Sequence, residues 1–348
     1  MNRQFPALRG LAILLVIFNH SIALGMSIPE SLGYPVSPDW VSNLLTAIKQ
    51  VGLFAVPTFL FLSGCFFVYA AKNQNSGLPL KVILNGLKHL LWPYLVWSLV
   101  FYAVLFLFDV ERLSPLAYLK NLAVGYPYNF VPLLAFFYLL SPLLVRMSRR
   151  YAWVLLGAVA LYQVFLLNLI LPGYLGFQYP DWARYLGLPV IRLPFLLWGM
   201  YFPLGVVYSL NMERMQPALR RFWPVSLGIT VVFFILAIMH ETGVIYFPVS
   251  TLICPLAFVF LLPLIERSRI PRVKWLEMVG KRAYGLYLSH FVVLNVLLFG
   301  IAALAPGALN YQVLMIPILF FLGLNLPLAL MNAIEHMPKK GVYRFVFG

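Results

Sequence analysis

Acidic side chains are scarce in this chain. It has ten Asp and Glu among 348 residues, and charged residues of both signs make up only 10%. A soluble domain carries roughly 25% charged residues. With 62% of its residues hydrophobic, this chain cannot cover a water-facing surface with polar groups. The few acids avoid the apolar runs: Asp109, Glu111, Asp181 and Glu241 fall at the ends of such runs or between them. That excludes the paired carboxylates of glycoside hydrolysis, and it argues against a proton-driven pump, which usually needs a mid-membrane acid. Cysteine is rarer still. Cys65 and Cys254, both within apolar runs, make neither a metal cluster nor a disulfide framework and read as buried thiols. No HExxH helix, phosphate-cradling Gly-rich loop or nucleophile elbow is present, and no metal site is expected. There is also no internal repeat, and no polar stretch long enough for a soluble domain, so residues 1–348 read as one membrane-integral domain.

What is present is a series of apolar windows of about 20 residues, the length that crosses a bilayer. They fall near residues 7–26, 45–70, 90–108, 128–146, 151–171, 187–209, 223–239, 245–265, 283–304 and 312–334. The fold class is therefore all-α, a polytopic transmembrane bundle of about ten helices. The first window has no small-residue cleavage site and is expected to be retained rather than removed as a signal peptide. With the N-terminus placed in the cytoplasm, only Lys49, Arg112, Lys120, Arg184 and Arg192 of the 25 Lys and Arg fall on the opposite side. The positive-inside rule then puts both termini in the cytoplasm of a multi-pass inner-membrane protein. Topology accounts for the net charge of +15, with attraction to anionic membrane lipids a secondary effect. Nucleic acid is not an expected partner, because no folded basic domain exists to hold it.

Two ionisable residues stand out within the first window. Arg9 and His20 are eleven positions apart, which at about 100° per residue is three turns plus roughly 20°. They share one helix face, about 16 Å apart along the axis. An ionisable side chain inside a span is costly and marks a candidate functional site. Asn19 and Ser21 point about 100° to either side of His20, so neither is an obvious oxyanion donor. His290, in Tyr284-Gly-Leu-Tyr287-Leu-Ser-His290, reads as a helix contact or a support for the same polar cavity. His89, His240 and His336 read as solvated or interfacial. Ser63-Gly64 reads equally as a close helix contact or as a gap through which the thin arm of a ligand passes.

These residues resemble the acyltransferase-3 family of integral membrane acyltransferases. Arg9 to His20 matches its R-x10-H opening. Phe59 to Gly64, Lys88-His-Leu-Leu-Trp-Pro93-Tyr94, Leu193 to Gly199 and Tyr284 to His290 match further motifs in order. The mouth of the third span departs from the pattern: it carries Lys81, Lys88 and His89 where the family is rich in arginine. The resemblance implies O-acyl transfer, most plausibly acetyl, from cytoplasmic acyl-CoA to a hydroxyl of a cell-envelope glycan or lipid-linked sugar, with no permanently bound cofactor. His20 would be the catalytic base. Arg9 and Lys88 would hold the anionic head of the donor, and Ser63 and Gly64 would line its path. Asn19, Ser21, Tyr287 and His290 would support the site. The alternative left open by the residues is a transporter or flippase for a lipid-linked saccharide, using the same polar stripe as a conduit.

Overall fold

The computed structural model describes residues 4–35, 37–71, 80–338 and 341–348. Arg3, Lys72, Lys339 and Lys340, counted among the cytoplasmic cations above, lie outside the described residues. Among the described residues fifteen α-helices follow one another: α1 (Phe5–Ser31), α2 (Asp39–Lys49), α3 (Ala55–Ala71), α4 (Leu80–Leu107), α5 (Pro115–Val124), α6 (Phe130–Arg150), α7 (Ala152–Ile170), α8 (Arg192–Trp198), α9 (Tyr201–Leu210), α10 (Met212–Glu241), α11 (Ser250–Val259), α12 (Val273–Lys281), α13 (Ala283–Leu304), α14 (Gln312–Glu335) and α15 (Gly341–Phe347). No strand occurs among the described residues. The chain is a polytopic helical membrane protein.

Eight helical segments among the described residues are long and apolar enough to cross a membrane, and α8 with α9, bent by 46°, makes a ninth if counted as one span. At two of the expected windows the backbone departs from one straight helix. In the window 187–209 the helix breaks at Gly199–Met200. Pro203 has no N–H to donate to the carbonyl four residues back, so the ladder opens there. In the window 245–265 helical structure covers only Ser250–Leu264, about 22 Å of rise against about 30 Å of hydrocarbon. Pro255 lies inside that helix and Pro263 in the 3-10 turn that follows, and each removes a donor. Apolar composition persists across both windows, but the backbone does not stay in one straight helix.

Contacts divide the chain into two compact units, one of residues 57–91 and 114–222, the other of residues 2–56, 92–113 and 223–348. In the first, α3 and α9 touch backbone to backbone. A Cβ at Gly64 would lie 2.3 Å from the Phe202 carbonyl oxygen, and one at Gly205 would lie 2.1 Å from that of Phe61. Only glycine permits so close an approach at both points. Phe137 of α6 stacks on Phe202 at 5.2 Å, their planes 2° apart. Gln163 of α7 donates to the carbonyls of Phe195 and Leu196 at 3.2 and 2.7 Å, satisfying groups that the short α8 leaves open.

The second unit is built around α1. Its first turns press on α12: a Cβ at Gly10 would lie 2.0 Å from the Leu276 carbonyl oxygen, and one at Gly280 would lie 2.0 Å from that of Pro6. Helix α12 is amphipathic, with Leu276, Val279 and Gly280 buried and Lys274, Trp275, Met278 and Lys281 exposed. Higher on α1, Ile22 joins Leu45 and Ile316 in a buried cluster. Gln4 donates to the Pro263 carbonyl at 3.2 Å, and Arg282 pairs with Glu335 at 2.6 Å. The start of α1, all of α12, the start of α13 and the end of α14 therefore gather at one end of this unit, with Arg267, Arg269, Arg272, Lys274, Lys281 and Arg282. At the other end, Ser37 donates to Gln312 at 2.7 Å and Gln312 donates to the Pro35 carbonyl at 3.1 Å.

Candidate active site

Helix α1 runs 27 residues without a break, so Arg9 and His20 project from a common face about 16 Å apart along its axis. Beside His20 stands His290 of α13. Nδ1 of His20 is 2.9 Å from Nε2 of His290, and Nδ1 of His290 is 2.8 Å from the Leu286 carbonyl oxygen. These two distances fix the tautomers. A carbonyl can only accept, so Nδ1 of His290 carries its hydrogen and, in a neutral ring, Nε2 is bare. Nε2 of His290 therefore accepts from the Nδ1–H of His20. His20 has then used its one hydrogen, and its own Nε2 presents an open lone pair.

The ring planes are 1° apart with centroids 5.2 Å apart. With the nitrogens only 2.9 Å apart, this is an in-line, edge-to-edge bond between coplanar rings and not a face-to-face stack. Phe291 meets His20 edge-on at 5.0 Å and 77°, and Phe101 of α4 backs Phe291 at 5.5 Å. The ring of Tyr287, itself buried, lies 6.0 Å from His290. His290 has no exposed surface, whereas His20 is partly exposed. Aromatic rings back the pair, and His20 keeps some exposure while His290 has none. No acid occupies the helices around it: α1, α4, α13 and α14 contain only Glu30 and Glu335, both at helix ends.

The other residues singled out in the sequence sort by what they touch. Asn19 donates to the Lys49 carbonyl at 3.1 Å and fills the space beside Gly52, where a Cβ would come within 2.3 Å of its Nδ2. It fastens α1 to the 3-10 stretch Gln50–Phe54. Ser21 is buried and donates back to the Ile17 carbonyl at 2.8 Å. Ser63 likewise donates to the Phe59 carbonyl at 2.8 Å. A Cβ at Gly64 would lie 2.3 Å from the Phe202 carbonyl oxygen, so its small size serves helix packing at that point. Lys88 is exposed on α4, and Arg9 is half-buried on α1. His89 and His336 are exposed and bond the carbonyls four residues before them, each at 2.7 Å. His240 accepts from the Phe247 N–H at 3.4 Å. Among the described residues, no group of three or more His, Cys, Asp or Glu could hold a metal ion.

Sequence reasoning missed the direct His20–His290 bond and the role of Phe291. One signal was available: a histidine four residues after Leu286 on a helix can bond that carbonyl, which leaves its Nε2 as an acceptor.

The family model described as an acyltransferase domain, Acyl_transf_3, matches residues 2–331. The chain belongs to the acyltransferase-3 family. It is a membrane acyltransferase. Comparisons with curated proteins and with solved structures gave no match. Both histidines of the pair lie inside the matched range, and α15 lies beyond it.

Proposed function

We propose that this acyltransferase moves an acetyl group from acetyl-CoA, bound at the cytoplasmic face, to a hydroxyl of an envelope glycan or lipid-linked sugar, with His20 as general base. The observation that carries this reading is the tautomer-fixing chain from the Leu286 carbonyl through His290 to His20, which leaves the Nε2 lone pair of a partly exposed His20 available. Arg9, on the same face, offers a cation to the phosphates of the donor. An extended pantetheine arm would bring the thioester up that face toward His20. The basic end of the second unit supports a cytoplasmic location for the start of α1 and the end of α14.

The step balances simply. Nε2 of His20 takes the proton of the acceptor hydroxyl as its oxygen attacks the thioester carbonyl. The C–O bond forms, the C–S bond breaks, and the proton passes from Nε2 to the departing thiolate, giving ester and free CoA thiol. With no carboxylate beside the pair, nothing holds an imidazolium ion for long, which favours proton return within the same complex.

The test pairs two measurements on wild type and His20→Ala. Transfer of radiolabelled acetyl from acetyl-CoA to envelope glycan and lipid-linked sugar fractions is followed together with thermal stability. The expected result is a loss of about 10²–10⁴-fold in turnover with the melting temperature retained. Wild-type turnover in folded His20→Ala would sink the mechanism. Transfer from longer acyl-CoA but not from acetyl-CoA would overturn the acetyl assignment alone.

A further inference from the structure

Helix α15 begins ten residues past the end of the matched acyltransferase range, yet it docks deep in the second unit. Phe347 is 2% exposed. Its ring occupies the place of the side chain that Gly285 lacks: a Cβ at Gly285 would lie 2.9 Å from Cβ and Cδ1 of Phe347 and 2.7 Å from Cε of Met331. Trp97 of α4 donates its Nε1–H to the Val346 carbonyl at 2.9 Å, and its ring lies 5.8 Å from that of Phe347. Trp92 meets Phe345 at 5.6 Å, and Tyr343 meets Phe347 at 5.4 Å. The Tyr343 phenol is raised above its ordinary value, mainly by burial, with Arg282 opposing and Glu335 reinforcing the shift. Arg282 and Glu335 themselves form the ion pair that joins α13 to α14.

Two short routes lead from this docked helix to the histidine pair. Along α13, Gly285 is the residue before Leu286, whose carbonyl holds His290. Gly285 has no side chain of its own to pack, so Phe347 supplies the packing of that turn. Along α4, Trp97 is one turn from Phe101, which packs on Phe291, which in turn meets His20 edge-on. We infer that Phe347 and Trp97 are positioning residues: by clamping α15 against Gly285 they hold the Leu286 carbonyl, and through it His290 and His20, in the geometry for transfer. This rests on the His20 reading above. Neither residue touches the reacting groups; each acts through the helix turn it packs. A misplacement of about 1 Å remote from the chemistry can cost about a hundred-fold in rate, so even a small shift of this turn is enough to matter.

The experiment uses the full chain in lipid nanodiscs, with kcat and donor KM measured for acetyl-CoA. The variants are Phe347→Ala, Phe347→Leu, Trp97→Phe and His290→Ala, with Phe347→Ala and His290→Ala also combined. The expected result for Phe347→Ala is a fall in kcat of about ten-fold or more, with donor KM within about two-fold of wild type and most of the kcat restored in Phe347→Leu. Trp97→Phe keeps an aromatic six-membered ring but removes the indole N–H that bonds the Val346 carbonyl together with its five-membered ring, so it loosens the clamp from the α4 side even if Phe347→Ala does not fold; a reduced kcat at normal melting temperature is expected. In the His290→Ala background, Phe347→Ala should add much less than its loss in wild type, because the inferred hold on His20 runs mainly through the Leu286 carbonyl and His290. A wild-type kcat in both folded Phe347→Ala and Trp97→Phe, or fully multiplicative losses in the combined variant, would overturn the inference. Those results leave the base assignment standing if His20→Ala is inactive. An active His20→Ala removes the base assignment itself.

Discussion

Replacing His290 by alanine isolates what the histidine pair does. The substitution removes the acceptor of the His20 Nδ1–H, a bond of 2.9 Å in a site where His290 itself has no exposed surface. A buried donor left without a partner costs about 1–3 kcal/mol. His20 can relieve that cost by changing tautomer or turning its N–H outward, and either move withdraws the Nε2 lone pair from the acceptor. At 1.36 kcal/mol per decade, the active arrangement becomes rarer by about 5- to 150-fold, and kcat should fall by that factor. The loss should be smaller than for His20→Ala, since the base remains. Glutamine places an amide oxygen near the position of Nε2, so His290→Gln should recover part of the loss. The assay is release of CoA thiol with saturating acetyl-CoA and an envelope glycan fraction, alongside thermal melting of each variant. A folded His290→Ala enzyme with wild-type kcat would refute the reasoning. So would a His290→Gln enzyme no better than His290→Ala.

Three further outcomes follow from particular contacts. Gly64→Ala drives a methyl group against the Phe202 carbonyl, 2.3 Å away, so it should lower the melting temperature, with overpacking of about 1–3 kcal/mol, while donor KM of the folded fraction stays unchanged; a raised KM at normal stability would restore Gly64 to the donor path. Arg267 grips Glu277 with two bonds of 2.6 and 3.0 Å and holds its carboxyl below the ordinary value, first through the hydrogen bond. A lowered native pKa means that the pair stabilises above the ordinary glutamate range and that this contribution fades as pH falls through the lowered value. Wild type and Glu277→Gln should therefore differ in melting temperature near neutrality and converge in acid, and a gap that widens on acidification would contradict the sign. Finally, single cysteines at Lys281 and Tyr311, at opposite ends of the second unit, should be labelled by an impermeant maleimide from the cytoplasmic and the outer side respectively; the reverse pattern would invert the topology.

The helical class and the Arg9–His20 register were legible because both depend on local periodicity alone: an apolar run of sufficient length, and eleven steps of about 100°. The partner of His20 was not, since His290 lies 270 positions away and no spacing rule reaches that far. His290 could be seen as polar and intramembrane, but its role as an acceptor depends on the packing of α13 against α1. The Ser63-Gly64 pair shows a different limit. A small residue marks close approach without naming what approaches, and here it is the Phe202 backbone. Near 245–265 the apolar run outlasts the helix because hydropathy ignores backbone donors, and prolines at 255 and 263 remove two of them.

The shortage of acids in the sequence and the form of the site have one physical cause. A base in a membrane needs a partner that fixes its tautomer, and in water-filled active sites a carboxylate commonly serves. A carboxylate at this depth would be a charge removed from water, at a cost of about 2.5–3.5 kcal/mol by insertion scales, or it would protonate and lose its use as an acceptor. A neutral imidazole avoids both difficulties. It accepts on one nitrogen while the other donates to a backbone carbonyl that a helix provides four residues back. The arrangement has a consequence of its own: with no negative charge to hold it, a proton taken up by His20 has a strong tendency to leave again. In the proposed reaction the group that needs one is the departing thiolate, so proton uptake and proton release would belong to one encounter of donor and acceptor. On the proposed mechanism the acyl group then passes directly between them while both are bound.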